Sequence, residues 1–348
     1  MSEMATRGAR IEPPYGEIGD LLESGEVIPF LGAGASLCGR PSDNAGRPVP
    51  WTGADKGFLP NGKELGNWLA EKCSFPDPAE ISDLAKIASY YEVQARRRLL
   101  VRRLREVFAK DYAPGVIHQF LANCSQPLLI VTTNYDNLLE KAFEAEKRPY
   151  HLVAYPEREA YAGSVLWWKP GAVEPEPHKP SKLPLSLTDT TIIYKMHGTV
   201  SPRSAWNSFV ITEEDYVRFL ARMADKVAIP SRFMWKFKNS AFLFLGYSLR
   251  DWNLRVMLES LNAACGYEPT HADLKTPHEL QLDGGDPFDE YIGEYSPKDS
   301  QLPAWAIQYE PSELERTLWR SRNVGIFDMP LDDFVQRLRQ QPRNGSTR

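Results

Sequence analysis

Four segments of the chain end in residues that could do chemistry. In each, an apolar run of strand length is followed at once by small or polar residues: VIPFL before GAGAS (32–36), LLIV before TTNYD (132–136), TIIY before KMHG (195–198) and FLFL before GYSLRD (246–251). Such runs are typical of buried parallel strands, and ligands of doubly wound sheets bind at the carboxyl ends of their strands. We therefore expect the four strand ends to form one site.

The first of these turns suits a phosphate group. Gly32 and Gly34 permit a tight turn, and Ala33, Ala35 and Ser36 would offer backbone N–H groups to an anion at the start of a helix. A Gly-Ala-Gly turn can equally serve close packing of a strand against a helix. The turn alone therefore does not decide between nucleotide binding and packing.

The polar residues of the next two strand ends each have two readings. The amide of Asn134 could hold a ribose and a water molecule, or could form an Asx turn at the strand end. Asp136 could contact the same ligand, or could cap the helix that begins at Asn137. The imidazole of His197 changes charge near neutral pH and could act as a base, although a single histidine at a strand end is more often structural.

In this order the motifs GAGAS, TTNYD, HG and GYSLRD resemble those of the sirtuin superfamily, over about residues 25–340. The closer likeness is to its bacterial sirtuin-like branch, which is found in anti-phage defence systems. The resemblance implies NAD as the ligand, cleavage of the bond between nicotinamide and ribose, Asn134 as the catalytic asparagine and His197 as the general base. It implies that NAD is contacted by the glycine turn and by the other strand ends, at Gly32, Ala33, Gly34, Ser36, Thr133, Asp136, Gly246 and Ser248. Asp251 fits a helix start better than a ribose contact.

Two departures from the deacylase pattern are visible. Deacylating sirtuins carry a four-cysteine zinc module after the HG motif, whereas residues 199–241 contain no cysteine and the four cysteines of the chain form no C-x-x-C pair. Deacylases also usually have Gln at the position of Thr133 and Ile at that of Tyr135. We therefore predict no metal and an NAD glycohydrolase that uses water as acceptor. The alternatives are an NAD-dependent protein deacylase and a non-catalytic nucleotide-binding module.

The resemblance also suggests a role and partners. We expect an effector that depletes NAD and halts growth during infection (abortive infection). Because an unregulated NAD consumer would kill its host, we expect a homo-oligomer, with a HerA-type ring ATPase as a candidate partner. No apolar window is long enough to cross a bilayer and no signal peptide is visible, which predicts a cytoplasmic location.

Charge argues against a dedicated nucleic-acid surface, because the net charge is −5. A basic cluster at 96–105 is the exception. We interpret it as a solvated helix face rather than as a contact for nucleic acid or for another subunit.

The elements that must position the site follow a βαβα rhythm along the 348 residues. We predict an α/β fold, a Rossmann-like doubly wound and mostly parallel sheet, in one domain at 25–340 that follows an N-terminal segment (1–24) and precedes a flexible tail (341–348). A helical insertion is expected at about 61–124. Loop insertions are expected at about 147–188, with a short strand at 151–155 and the buried tryptophans Trp167 and Trp168, and at about 267–302. Further helices are expected at 213–228, 230–239, 249–264, 312–321 and 331–339.

Overall fold

The structure, a computed structural model, describes residues 12–44, 48–77, 83–201, 206–225, 227–247, 303–320 and 324–341. The predicted helix at 249–264, the insertion at 267–302 and all but the first residue of the predicted tail at 341–348 lie outside the described residues. The strands are β1 (Val27–Leu31), β2 (Leu129–Thr132), β3 (Tyr150–Ala154), β4 (Val165–Trp168), β5 (Glu176–His178), β6 (Thr191–Lys195), β7 (Gly198–Val200), β8 (Asn207–Phe209), β9 (Ala241–Leu245), β10 (Ala304–Gln308) and β11 (Gly325–Asp328). The helices are α1 (Tyr15–Ser24), α2 (Gly62–Cys73), α3 (Leu84–Ala95), α4 (Arg97–Phe108), α5 (Val116–Ala122), α6 (Leu138–Ala145), α7 (Glu213–Ala224), α8 (Ser231–Lys238), α9 (Glu313–Arg320) and α10 (Leu331–Gln340).

Nine of the strands form one sheet in the order β11-β10-β9-β1-β2-β6-β3-β4-β5. The ladders from β11 to β3 are all parallel, and only β4 and β5 at the far edge are antiparallel. Helices lie on both faces, and β7 and β8 form a separate hairpin. The predicted α/β class with a doubly wound, mostly parallel sheet is confirmed.

The order of the strands brings the four motifs together. β1 pairs with β2 on one side and with β9 on the other, and Leu31 is level with both Thr132 and Leu245. The chain therefore builds the sheet to one side after β1 and returns to its other side at β9. Ligands of such sheets bind outside the carboxyl ends of the strands at this reversal. The four motif strands are neighbours there, in the order β9-β1-β2-β6.

Alternate residues of the central strands enter two hydrophobic cores. Val27, Leu31 and Ile130 face α1, α5, α6 and α10, whereas Phe30 and Val131 face the opposite layer, which contains α8 and α9. This alternation is the two-residue period of a strand buried on both faces. A third core contains residues of α2–α4 together with Tyr135 and Leu138, which follow β2.

One predicted element differs from the structure. The segment 147–188 is not a loop insertion, because β3 continues the parallel sheet and β4 and β5 extend it as antiparallel strands. Trp167 and Trp168 lie on β4 and are each 6% exposed, so their predicted burial is confirmed. Within the helical insertion, α3 and α4 are separated at Arg96, whose backbone has φ +69°. In the described part of the chain, no helix has the length and apolar character that a membrane span requires.

Candidate active site

The turn after β1 packs tightly against the end of β9. The N–H of Gly34 donates to the carbonyl oxygen of Gly246 at 2.8 Å, and the N–H of Gly32 donates to that of Leu245 at 3.0 Å. A Cβ atom on Gly34 would lie 2.7 Å from the Gly246 oxygen, and Gly246 itself has φ +63°. The glycines are therefore required for this packing, whatever else they do.

The turn opens only a short helix. Residues Ala33–Leu37 form a 3₁₀ helix of five residues, and the N–H of Ala35 is already bonded to the Gly32 carbonyl at 3.0 Å. Ala33 is the exposed residue of the turn, whereas Gly32 and Ala35 are buried. The predicted helix start is thus present, but it is one short turn rather than a long dipole aimed at a ligand.

Asn134 is held by the turn after β1. Its Nδ2 donates to the carbonyl oxygen of Gly32 at 2.8 Å and to the hydroxyl of Ser36 at 2.9 Å. Ser36 in turn donates to Oδ2 of Asp136 at 2.6 Å. Because a main-chain carbonyl can only accept, the amide must face Gly32 with its nitrogen, and its Oδ1 points the other way. A half-buried asparagine is thereby presented in a single orientation.

Asp136 stabilises the start of α6. Its Oδ1 accepts from the N–H of Leu138 at 3.1 Å, its Oδ2 accepts from Ser36, and the residue is 5% exposed. Of the two readings left open by the sequence, the structure shows the contact with the helix start, although Asp136 lies one residue before the N-cap position at Asn137. Its predicted contact with a ligand remains a prediction.

The neighbouring threonines fix the main chain of the second strand end. The hydroxyl of Thr132 donates to the Leu31 carbonyl and accepts from the N–H of Asn134, both at 3.0 Å. The N–H of Thr133 donates to the same Leu31 carbonyl at 3.3 Å, and Thr133 is half-buried. Sequence reasoning did not identify the role of Thr132, which joins the ends of β1 and β2.

His197 follows β6 and packs against α7. Its ring lies 5.3 Å from the ring of Tyr216 and 5.5 Å from that of Phe219, and the residue is 6% exposed. The following Gly198 has φ +87°, and a Cβ there would collide with the Ser208 carbonyl. The glycine of the HG motif thus makes the turn from β6 into β7. Ser248, predicted for the last strand end, lies outside the described residues.

A buried lysine and glutamate lie directly beneath this site. Lys195 (1% exposed) places its Nζ 2.7 Å from Oε1 of Glu140 on α6, and burial raises the pKa of Glu140 against the opposing effect of Lys195. His118 on α5 is also buried, and desolvation lowers its pKa to about 4 although the nearby Asp136 opposes this. The crevice that these groups share with Asn134 has no room for a water molecule. Sequence reasoning missed all three side chains.

The described residues offer two further observations about ligands. They contain no group of three or more His, Cys, Asp or Glu side chains that could hold a metal ion. A cleft of about 660 Å³ runs between α6 and the β3–β4 hairpin, and none of the predicted site residues lines it.

Comparison with known proteins identifies relatives. The model of the SIR2-like domain matches residues 128–327, which is more than half of the chain. A protein named NAD(+) hydrolase ThsA from Acinetobacter baumannii (strain 532279) is 31% identical over 245 residues, which cover 69% of this chain and 40% of that protein. One of the same name from Bacillus cereus (strain MSX-D12) is 28% identical over 186 residues, 53% of this chain and 33% of that protein. The chain thus matches less than half of the length of these relatives.

Proposed function

The chain belongs to the SIR2-like family, as its motifs predicted, and on this basis we propose that it is an NAD glycohydrolase. Two relatives are named NAD(+) hydrolases, at 31% and 28% identity. Because these relatives are more than twice as long as the segment that matches, their names alone do not establish the activity of this chain. The proposal therefore depends on the residues of its own site. We propose that residues 25–340 act as a single NAD-binding domain.

The observation that carries the proposal is the fixed orientation of Asn134. With Nδ2 bonded to Gly32 and Ser36, the partly negative Oδ1 is the end of the amide left for a ligand. Nicotinamide leaves NAD from a cationic state, so its departure needs no acid, and the transition state resembles an oxocarbenium ion. An oriented oxygen dipole beside that cation stabilises the transition state more than the ground state.

The residues then take the following roles. The C1′–N bond breaks, its electron pair neutralises the pyridinium nitrogen, and the oxygen of water bonds to C1′. Asn134 holds the ribose and the water, and His197 accepts the proton that the water releases. The turn at Gly32, Ala33, Gly34 and Ser36, together with Thr133, Asp136, Gly246 and Ser248, binds the rest of NAD. No metal takes part in this scheme.

We propose water as the acceptor because the chain departs from the deacylase pattern at Tyr135 and Thr133. The ring of Tyr135 packs 5.3 Å from Phe108 of α4 and 5.1 Å from Phe209, and its hydroxyl donates to the Val210 carbonyl at 2.5 Å. This residue stands where deacylases usually have Ile, and here it ties the helical insertion to the strand end. Thr133, where they usually have Gln, departs from the same pattern. An acyl-lysine acceptor, as in a protein deacylase, is the second candidate.

We further propose a role in defence. The protein would act in the cytoplasm, where depletion of NAD during infection halts the growth of the cell. Control would come from assembly, as a homo-oligomer or with a HerA-type ring ATPase. Light scattering of the protein alone and with that ATPase tests this. A monomer that is active alone would contradict it.

The activity is tested by incubating the protein with NAD, with and without an acetyl-lysine peptide, and by separating the products. ADP-ribose and nicotinamide in equal amounts without peptide are the expected result. O-acetyl-ADP-ribose that appears only with peptide would establish the deacylase instead. NAD binding without any product, also after addition of lysate from infected cells, would favour a non-catalytic nucleotide-binding module.

A further inference from the structure

Lys195 is one of the most deeply buried charged residues in the described part of the chain, at 1% exposure. Its ammonium group contacts four oxygens: Oε1 of Glu140 at 2.7 Å, Oγ1 of Thr199 at 3.1 Å, the main-chain carbonyl of Tyr135 at 3.5 Å and that of Asp136. Two of these four belong to the loop between Asn134 and α6. The lysine thus joins the end of β6 to the loop that carries Asn134.

Stability alone does not explain such a group. Removing a lysine and a glutamate from water costs several kcal/mol each, and replacing a buried ion pair by apolar residues of similar volume is often neutral or stabilising. Glu140 also leaves its Oε2 without a partner among the described atoms. The pair is therefore a weak stabiliser of the fold. Its main effect is to hold the carbonyls of residues 135 and 136 in place.

We propose that Lys195 is a positioning residue for the NAD-cleaving reaction. Its ammonium fixes the carbonyls of residues 135 and 136, and so it fixes the main chain that directly follows Asn134. Asn134 lies immediately before these carbonyls, and Asp136 holds the Ser36 hydroxyl to which Asn134 donates. Loss of the ammonium would let both ends of this network move. A misplacement of about 1 Å at a reacting group can cost 100-fold in rate.

The inference rests on the proposed function, because Lys195 acts through Asn134 and does not touch NAD. The test compares two variants that differ only in the ammonium group. Glu140→Gln keeps the lysine and its two carbonyl contacts, with an amide oxygen in place of Oε1. The double variant Lys195→Met/Glu140→Gln removes the charge in a side chain of similar length. Both leave the packing volume close to that of the wild type.

We expect the double variant to lose about 10- to 100-fold in kcat with KM changed less than threefold, and Glu140→Gln to recover most of that loss. Glu140→Gln leaves the buried ammonium without its carboxylate and should melt below the double variant, so kcat is compared per folded molecule. As a control, Arg316→Met/Asp328→Asn removes an ion pair of 2.8 Å between α9 and the edge strand β11, which β10 separates from the motif strand β9, and should leave kcat unchanged. A double variant with the kcat of Glu140→Gln, or one whose activity falls only with its folded fraction, would overturn the proposal.

Hydrogen exchange separates this inference from the proposed function. The amides of residues 133–138 should exchange at least several-fold faster in the double variant than in Glu140→Gln, whether or not the protein cleaves NAD. If wild type releases no nicotinamide but this difference is present, the proposed function fails and the positioning of the loop stands. If exchange is the same in both variants, the positioning role is wrong even in an active enzyme.

Discussion

The side-chain nitrogen of Asn134 donates to the main-chain carbonyl oxygen of Gly32 at 2.8 Å, across 102 positions of sequence. This bond ties the end of β2 to the turn after β1 and decides which end of the amide faces a ligand. Catalysis by oriented dipoles requires such a fixed arrangement before the substrate arrives. The bond makes the glycine turn a part of the site, beyond its packing against β9.

The hydroxyl of Ser36 links Asn134 to Asp136, and its removal tests this link. In Ser36→Ala both residues lose a partner, while the bond from Asn134 to Gly32 is kept. We expect a fall of about tenfold in kcat for nicotinamide release and a small decrease in melting temperature. Ser24→Ala, which removes an exposed hydroxyl bonded only within and beside α1, should behave as wild type. Equal kcat in the two variants would show that the link has no role.

Gly246 is where a side chain should be least tolerated. It has φ +63°, and its Cβ would lie 2.8 Å from the Cα of Gly34. Gly246→Ala should therefore destabilise the fold by at least about 2 kcal/mol. Gly16→Ala meets no atom within 4 Å and lies in α1, so it should stabilise by up to about 1 kcal/mol. Urea denaturation of both variants measures the difference. A Gly246→Ala variant as stable as wild type would contradict the close contact of the two turns.

The buried His118 should make stability depend on pH. Burial lowers its pKa to about 4, below the value near 6.5 expected for an unfolded chain. Between these values the unfolded state binds more protons than the folded state. Stability due to this group is therefore fully present above pH 6.5 and is lost as pH falls toward 4, by about 3 kcal/mol in all. Unfolding free energies between pH 4.5 and 7.5 measure this loss.

Glu140 lies beside the same crevice, and its raised pKa acts in the opposite direction. The comparison is therefore wild type against His118→Leu, because Glu140 is present in both proteins. The difference in unfolding free energy should shrink as pH falls. A difference that stays constant across the range would show that His118 is not buried in its neutral form.

His197 should be required for turnover and His178 should not. His197→Ala removes the proposed base at the end of β6, and we expect nicotinamide release to fall by about 100-fold or more. His178 lies on the edge strand β5 beside Glu176, and His178→Ala is the matched control. Circular dichroism of both variants checks folding. A folded His197→Ala variant that retains wild-type turnover would leave His197 with a structural role against α7.

The sequence predicted the central sheet well because its strands are buried on both faces. Such strands are continuous apolar runs, and β1, β2, β6 and β9 each end within one residue of the predicted point. β5 was missed because Glu176, Pro177 and His178 form a short, polar edge strand in a segment rich in proline. β4 was missed although it is an apolar run, because its tryptophans were interpreted as packed beneath a loop. Their pairing comes from β3 and β4 and not from local sequence.

The side chains that support the site were harder to predict. Lys195 and Glu140 are 55 positions apart, and each has the sequence environment of an ordinary charged residue. Ser36 was predicted to offer its backbone N–H to a phosphate, whereas in the structure its side-chain hydroxyl donates to Asp136. Contacts of this kind arise only when the strands are assembled, and periodicity contains no signal for them.

The most direct test of the account measures NAD binding and nicotinamide release on the same preparations of wild type, Asn134→Ala and Asn123→Ala. Asn123 is exposed and donates only within α5, so its variant controls for the substitution itself. We predict that Asn134→Ala binds NAD within about tenfold of wild type but releases nicotinamide at least about 100-fold more slowly. Turnover by Asn134→Ala at the wild-type rate would contradict the proposal that this oriented amide cleaves NAD.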